Sequence, residues 1–274
     1  MQMIKLPRLV LADWLGTRDA LHGYARVLGK FRGEMMPPQK HWWHITLHVS
    51  ARGLTTTPLP AGSGVVELVL SPVGHQVEIQ TGFGGTAAVP LSGQSQRALV
   101  DEIVGALWDL GVRAPAVDAP WSETEYRYDP DAARRYWLAL SSIDQVFKEF
   151  KGRLREETGP VHVFPHHFDL SLNWFSGRRI PGTDPADEET ADEQMNFGFV
   201  TGDDSIDEAY FYATAYPRPP ALLRAELPDG SYWHTEGFTG AVLMYENLLG
   251  EGDPRERLLD FFGFAQHAGA RLMC

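Results

Sequence analysis

Apolar residues return every three or four positions in four stretches of this chain and every second position in several others. Leu21, Tyr24 or Ala25, Leu28, Phe31 and Met35 keep helical spacing, and Thr17 is placed to cap the segment. Residues 95–110 repeat the pattern through Leu99, Ile103, Leu107 and Trp108, with Gly111 as the stop. Asp129-Pro130 and Asp253-Pro254 each set a capping carboxylate before a proline suited to the first helical turn. The helix predicted after Asp129 carries Ala133, Trp137, Leu140, Ile143, Phe147, Phe150 and Leu154. The one after Asp253 carries Leu258, Phe261, Phe262, Ala265 and Ala268.

Strand signals lie between these helices. Over residues 42–52, Trp42, His44, Thr46, His48, Ser50 and Arg52 alternate with Trp43, Ile45, Leu47, Val49 and Ala51, which predicts one long strand with a polar face. Runs at 65–70, 75–81 and 86–91 are separated by Gly and Pro and predict a meander. Residues 161–175 predict a second polar-faced strand, where Phe168, Leu170, Leu172 and Trp174 oppose His167, Asp169, Ser171 and Asn173. Two more strands are expected near 195–200 and 208–216.

The fold class that follows is α+β, with antiparallel-rich sheet packed against helices in a single domain spanning the chain. The order helix, strands, helix occurs twice, and Phe31-Arg32-Gly33 is echoed by Phe150-Lys151-Gly152. Two readings stay open: a duplication into similar lobes at 15–115 and 128–274, or ordinary alternation within one α+β domain.

The polar faces hold the candidate chemistry. On a strand, His44 and His48 would share one side about 13 Å apart at ~3.3 Å per residue, too far to chelate one ion alone. His162, His166, His167 and Asp169 are the expected neighbours, and a convergence with His44 and His48 would suit acid/base histidines or a His-and-carboxylate metal site. The spacing matches no compact ligand motif, so no metal ligand is assigned. His44-Ile45-Thr46-Leu47 has the His-x-Thr-hydrophobic form of two-histidine phosphoesterase strands. The second copy would be His167-Phe168-Asp169-Leu170, where an aspartate would repel a phosphate. Arg52 and Arg178 end the two polar-faced strands and could hold a carboxylate or phosphate bidentately. Tyr210, Tyr212 and Tyr216 alternate onto one face and offer a stacking surface, with burial in a core as the plainer alternative. His22, between Leu21 and Gly23, reads as a satisfied and partly buried helix histidine. No Gly-rich phosphate loop, nucleophile elbow or His-Glu-x-x-His motif occurs.

Composition narrows this picture. The 24 Lys and Arg against 36 Asp and Glu give a formal charge of −12, so nucleic acid is a poor first guess. Ten of the acids fall within residues 184–208, with no Lys or Arg among them, which predicts a solvated acidic loop and leaves the rest of the chain nearly neutral. Cys274 is the single cysteine, so neither an intrachain disulfide nor a multi-thiolate site is available. No stretch approaches the roughly 20 apolar residues that span a bilayer, and residues 9–11 are too short for a signal-peptide core. The expectation is a soluble cytoplasmic protein that does not enter membranes.

Longer motifs carry a family resemblance. Leu21-His22, Gly29-Lys30, HWWHITLHVSARGLTTTPLP at 41–60, PVHVFPHHFDLSLNWFSGR at 160–178 and AYFYATAYP at 209–217 are similar to the family catalogued as domain of unknown function 5996. The resemblance extends over nearly the whole chain. It implies no activity and no cofactor, but it marks His22, Lys30, Trp42, Arg52, His162, Asp169 and Arg178 as motif positions. One departure stands out: Pro165-His166-His167 replaces the Trp-Gly-Ser expected before Phe-Asp-Leu. A mechanism needing His166 and His167 would then not be shared by the family. The functional expectation is a polar pocket lined by His and Arg that binds a small anionic molecule. His44, His162 and Asp169 are its acid/base candidates, and Trp42, His48, Arg52, Arg178 and Tyr212 its binding candidates. The alternatives are a hydrolase, metal-dependent or of the two-histidine type, and a non-enzymatic interaction protein.

Overall fold

Helix α1 (Leu11–Met35) begins well ahead of Thr17, whose hydroxyl lies inside the helix and accepts a hydrogen bond from Asp129 N at 2.8 Å instead of capping it. The expected stripe of Leu21, Tyr24, Ala25, Leu28 and Phe31 is fully buried. The computed structural model describes residues 6–187, 189–250 and 252–273. Cys274 and Glu188 of the acidic segment lie outside them. Among the described residues no helix is long and apolar enough to cross a membrane.

The chain divides into two units. One, the amino unit, comprises Ala12–Trp137 and His162–Phe168; the other, the carboxy unit, comprises Met1–Leu11, Leu138–Val161 and Asp169–Cys274. In the amino unit α1 is followed by a 3-10 helix at Lys40–Ile45 and six strands: β1 (His48–Val49), β2 (Leu54–Thr55), β3 (Leu59–Ala61), β4 (Gly64–Ser71), β5 (Gln76–Thr81) and β6 (Thr86–Pro90). They hydrogen-bond in the order β1-β2-β4-β5-β6, with β3 also on β4, and every pairing is antiparallel. The predicted meander is therefore present, and Leu68, Leu70, Val77 and Ile79 bury its inner positions. Helix α2 (Gln96–Asp109) lies on β5 and β6. Ser95 Oγ caps it by accepting from Ala98 N at 3.2 Å, and Gly111 stops it in the left-handed region at φ 75.

Helix α3 (Pro130–Arg153) passes from one unit to the other between Trp137 and Leu138. Asp129 Oδ1 accepts from Asp131 N and Ala132 N, as its Asp-Pro signal predicts. β7 (His162–Phe164) belongs to the amino unit, and β8 (Asp169–Arg179) opens the sheet of the carboxy unit. The expected single strand over 161–175 is thus broken by a turn at Pro165–Phe168 that includes Phe168 at φ 56. β9 (Asp192–Val200), β10 (Tyr210–Tyr216), β11 (Ser231–His234) and β12 (Gly240–Met244) follow, paired antiparallel in the order β11-β12-β10-β9-β8. β9 runs through the acidic segment, so this stretch is not the continuous solvated loop its charge predicts. Only Asp192 and Glu193 of the ten acids lie in the strand, at its start, where Gln194 and Asn196 alternate with the buried Met195 and Phe197.

The register sets Leu172, Phe197, Ala213 and Ala241 across from one another, with Leu170, Phe199, Phe211 and Leu243 alongside. That apolar face meets the carboxy-unit part of α3 and the C-terminal helix. After a single turn, α4 (Tyr245–Leu248), comes α5 (Pro254–Leu272), capped by Asp253 accepting from Arg255 N at 3.0 Å. Phe262 is the hub: its ring lies 4.9 Å from Phe147, 5.2 Å from Phe150 and 5.6 Å from Phe197. Each such buried phenyl contributes roughly 1.5–3 kcal/mol of apolar transfer. The opposite face of the sheet carries Asp169, Ser171 and Asn173 on β8, Asn196 and Gly198 on β9, and Tyr212 on β10.

Candidate functional site

The sequence pattern misleads most over residues 42–52. Lys40–Ile45 coils into a 3-10 helix, and only His48–Val49 pairs as strand, so the alternating polar row does not form. Inside the coil His41 (φ 56, ψ 28) and Trp42 (φ 58, ψ 22) both hold left-handed backbone. For a bulky residue that conformation is a marked departure from the allowed regions. Its result is that Trp42 stays 49% exposed while stacking on His44, ring centres 5.6 Å apart and planes 28° from parallel. His44 is buried, and its Nδ1 accepts from Gln39 N at 3.2 Å. The other ring nitrogen of His44 then carries the proton in the neutral tautomer.

β1 and β7 bring the next pair together. Leu47 and Val163 exchange backbone hydrogen bonds at 2.9 and 2.7 Å, which clamps the segment after the 3-10 helix onto β7. His48 then meets the fully buried His162 edge-to-face at 6.2 Å. Trp43 stands 6.4 Å from His162, Phe164 4.7 Å from it, and His41 5.3 Å from Trp43. The result is a corner of imidazoles and indoles within the amino unit, which holds eight of the ten histidines. Residues 35–66 and 162–168, which supply the corner, contain no Asp or Glu although the whole chain is strongly acidic.

His167 does not pair with His44. Its ring lies 4.4 Å from His166 on the turn after β7. His22 Nε2 lies 3.1 Å from the His166 carbonyl oxygen, and the His22 ring stacks on Phe168. Burial lowers His22 below the usual imidazole range. His166 keeps an exposed face, and desolvation of the rest of its ring, helped by His167, His22 and Arg26, lowers it to about 4. Arg52 ion-pairs with Glu67 at 3.3 Å and Glu78 at 3.2 Å, so its charge is locally balanced.

Asp169, Arg178 and Tyr212 belong to the carboxy unit. Tyr212 OH donates to Asp169 Oδ2 at 2.6 Å, and Ser171 Oγ donates to Asn196 Oδ1 at 2.7 Å. Burial and the Asp169 carboxylate hold the Tyr212 phenol well above its ordinary value, so it stays a hydrogen-bond donor. Tyr212 lies flat over Gly198, where an added Cβ would come within 2.1 Å of the ring. The neighbouring Tyr210 donates to Asp203 Oδ2 at 2.6 Å and is buried, while Tyr216 is exposed, so the three tyrosines do not form one open platform. Arg178 ion-pairs with Glu193 at 2.5 Å.

Two things escaped the sequence reading: the left-handed pair at 41–42 and the burial of Arg32. The second had a signal, because Arg32 falls four residues after Leu28 on the apolar stripe of α1. Among the described residues no three His, Cys, Asp or Glu side chains come close enough to share a metal ion. No curated protein and no solved structure shows a significant match to the chain. Residues 6–273 match a family model described as Family of unknown function (DUF5996), and the chain belongs to that family.

Proposed function

We propose that this chain is a cytoplasmic small-molecule binding protein whose ligand is anionic and sits in the histidine and indole corner of the amino unit. The observation that carries the reading is Trp42: an exposed indole, backed by His44, on a backbone conformation that costs of order 1–3 kcal/mol. An exposed flat ring next to imidazole donors suits a ligand with a planar group and an acidic one. The absence of carboxylates from the two segments that build the corner favours the negative sign. Nucleic acid remains a poor partner for a chain of net charge −12 without a basic stripe.

A thermal-shift screen tests this. Nucleoside monophosphates, sugar phosphates and dicarboxylates would be added to the wild-type chain and to His44→Ala and Trp42→Gly. At least one compound should raise the wild-type melting temperature and leave both folded variants unmoved. A screen with no shift, or shifts that both variants retain, sinks the proposal. A second reading, a two-histidine hydrolase, draws on the His48–His162 contact, since adjacent imidazoles can divide the roles of acid and base. It requires turnover of a phosphodiester panel that His48→Gln abolishes.

A further inference from the structure

Arg32 is a charged side chain in an apolar position. It lies on the buried stripe of α1 and is 5% exposed. Its hydrogen-bond partners are all neutral oxygens: Nη1 donates to the Thr56 carbonyl and, at 2.8 Å, to Thr57 Oγ1, and Nη2 reaches the Trp43 carbonyl at 3.4 Å. Its Nε is buried and makes no hydrogen bond, and among the described residues no carboxylate pairs with the guanidinium. A buried cation normally has an acidic partner, because hydrogen bonds to neutral groups do not repay the lost hydration of a full charge. A chain with 36 acids could readily supply one, yet none is supplied here.

The backbone around the guanidinium points the same way. Among the described residues five non-glycine positions hold left-handed φ, and three of them (His41, Trp42 and Thr57) lie on the two segments that Arg32 bonds. Thr57, at φ 58, is both β-branched and followed by Pro58, two features that disfavour such backbone. Strain gathered around one uncompensated charge marks a preformed site more than a packing accident. A guanidinium has five N–H donors, and three acceptors are taken. The remaining Nε–H and one Nη2–H are the donors of the side-on fork that grips a carboxylate or phosphate.

We propose that Arg32 is the anion-binding residue of the amino unit and takes a single oxyanion head, carboxylate or phosphate, as the missing counter-charge. The assignment rests on the ligand reading above and moves the anion from Arg52 and Arg178, which have acids of their own, to Arg32. Arg32 is only 5% exposed and its Nε is sealed, so the proposed occupant is a single small acidic group and not a polymer.

The test uses the full chain labelled with nitrogen-15 arginine, titrated separately with inorganic phosphate and with acetate at constant ionic strength held by chloride. The Arg32 Nε–H signal, identified by its loss in Arg32→Lys, should move saturably with one of the two anions, and the one that moves it names the acidic group. That anion should also raise the melting temperature above its value in chloride. Arg32→Met should lose the rise, and Arg32→Lys should keep part of it. A signal that neither anion moves overturns the assignment, as does an undiminished rise in Arg32→Met. If Arg32→Met does not fold, the titration of the wild-type signal decides alone. Should Arg32→Met keep the ligand found by the thermal screen, the ligand reading stands and the Arg32 assignment falls. Should the Arg32 signal respond to an anion while the thermal screen finds nothing, the reverse holds.

Discussion

At Trp42 the conflict between local strain and local use can be measured directly. A left-handed L-residue costs roughly 1–2 kcal/mol, whereas glycine adopts the conformation freely. The half-exposed ring returns only its stacking on His44, about 0.5–1 kcal/mol. Trp42→Gly should therefore leave the urea midpoint unchanged or raise stability by up to about 1 kcal/mol, while ligand response disappears. A loss of more than about 2 kcal/mol would make the indole a core residue after all. The histidines after β7 yield a second residue-scale prediction. His166 is pushed down to about 4 from 6.5, and His22 is also lowered, so below pH 6.5 the unfolded chain takes up protons that the folded chain refuses. The contribution of these two histidines to stability should be full above pH 6.5, fall as pH drops towards 4, and change no further below that. Melting curves across this range should show the fall, and His166→Gln should flatten it; an unchanged slope in that variant refutes the assignment.

Elements were legible wherever a cap or a period was unopposed. Asp129 and Asp253 start helices as their residue types demand, and the Gly- and Pro-separated runs of the amino unit pair as a meander. Residues 42–52 failed because period-two alternation records only residue type, and a 3-10 coil held by two left-handed residues leaves no trace in it. The strand over 161–175 failed for a similar reason at Phe168, and Arg32 was hidden by a flanking run that reads as an ordinary amphipathic helix. β10 and β9 show a feature that only cross-strand register reveals. Gly198 faces Tyr212, and the phenol can reach Asp169 because no Cβ intervenes. Gly198→Ala should destabilise the chain by about 1–3 kcal/mol through overpacking. It should also break the Tyr212–Asp169 hydrogen bond, read as a fall in the tyrosine pKa by ultraviolet titration. Wild-type stability with an unmoved tyrosine would show that the ring does not depend on the glycine.

For the whole molecule, charge and site chemistry separate along the sequence. Acids crowd residues 184–208 and are missing from residues 35–66 and 162–168. The candidate residues divide between the units as well: Trp42, His44, His48, Arg52 and His162 in one, Asp169, Arg178 and Tyr212 in the other. The expected α+β class was legible from the order of helical and strand periods. The grouping of the histidines was not, because it depends on the Leu47–Val163 bridge between segments more than a hundred residues apart. The measurement that tests the account most directly is a proton–nitrogen correlation spectrum of the imidazoles during titration with the compound found by the thermal screen. Binding in the amino-unit corner predicts that His44, His48 and His162 move together and saturate while His75, His234 and His267 stay in place. Movement confined to the latter three, or none at all, would contradict it.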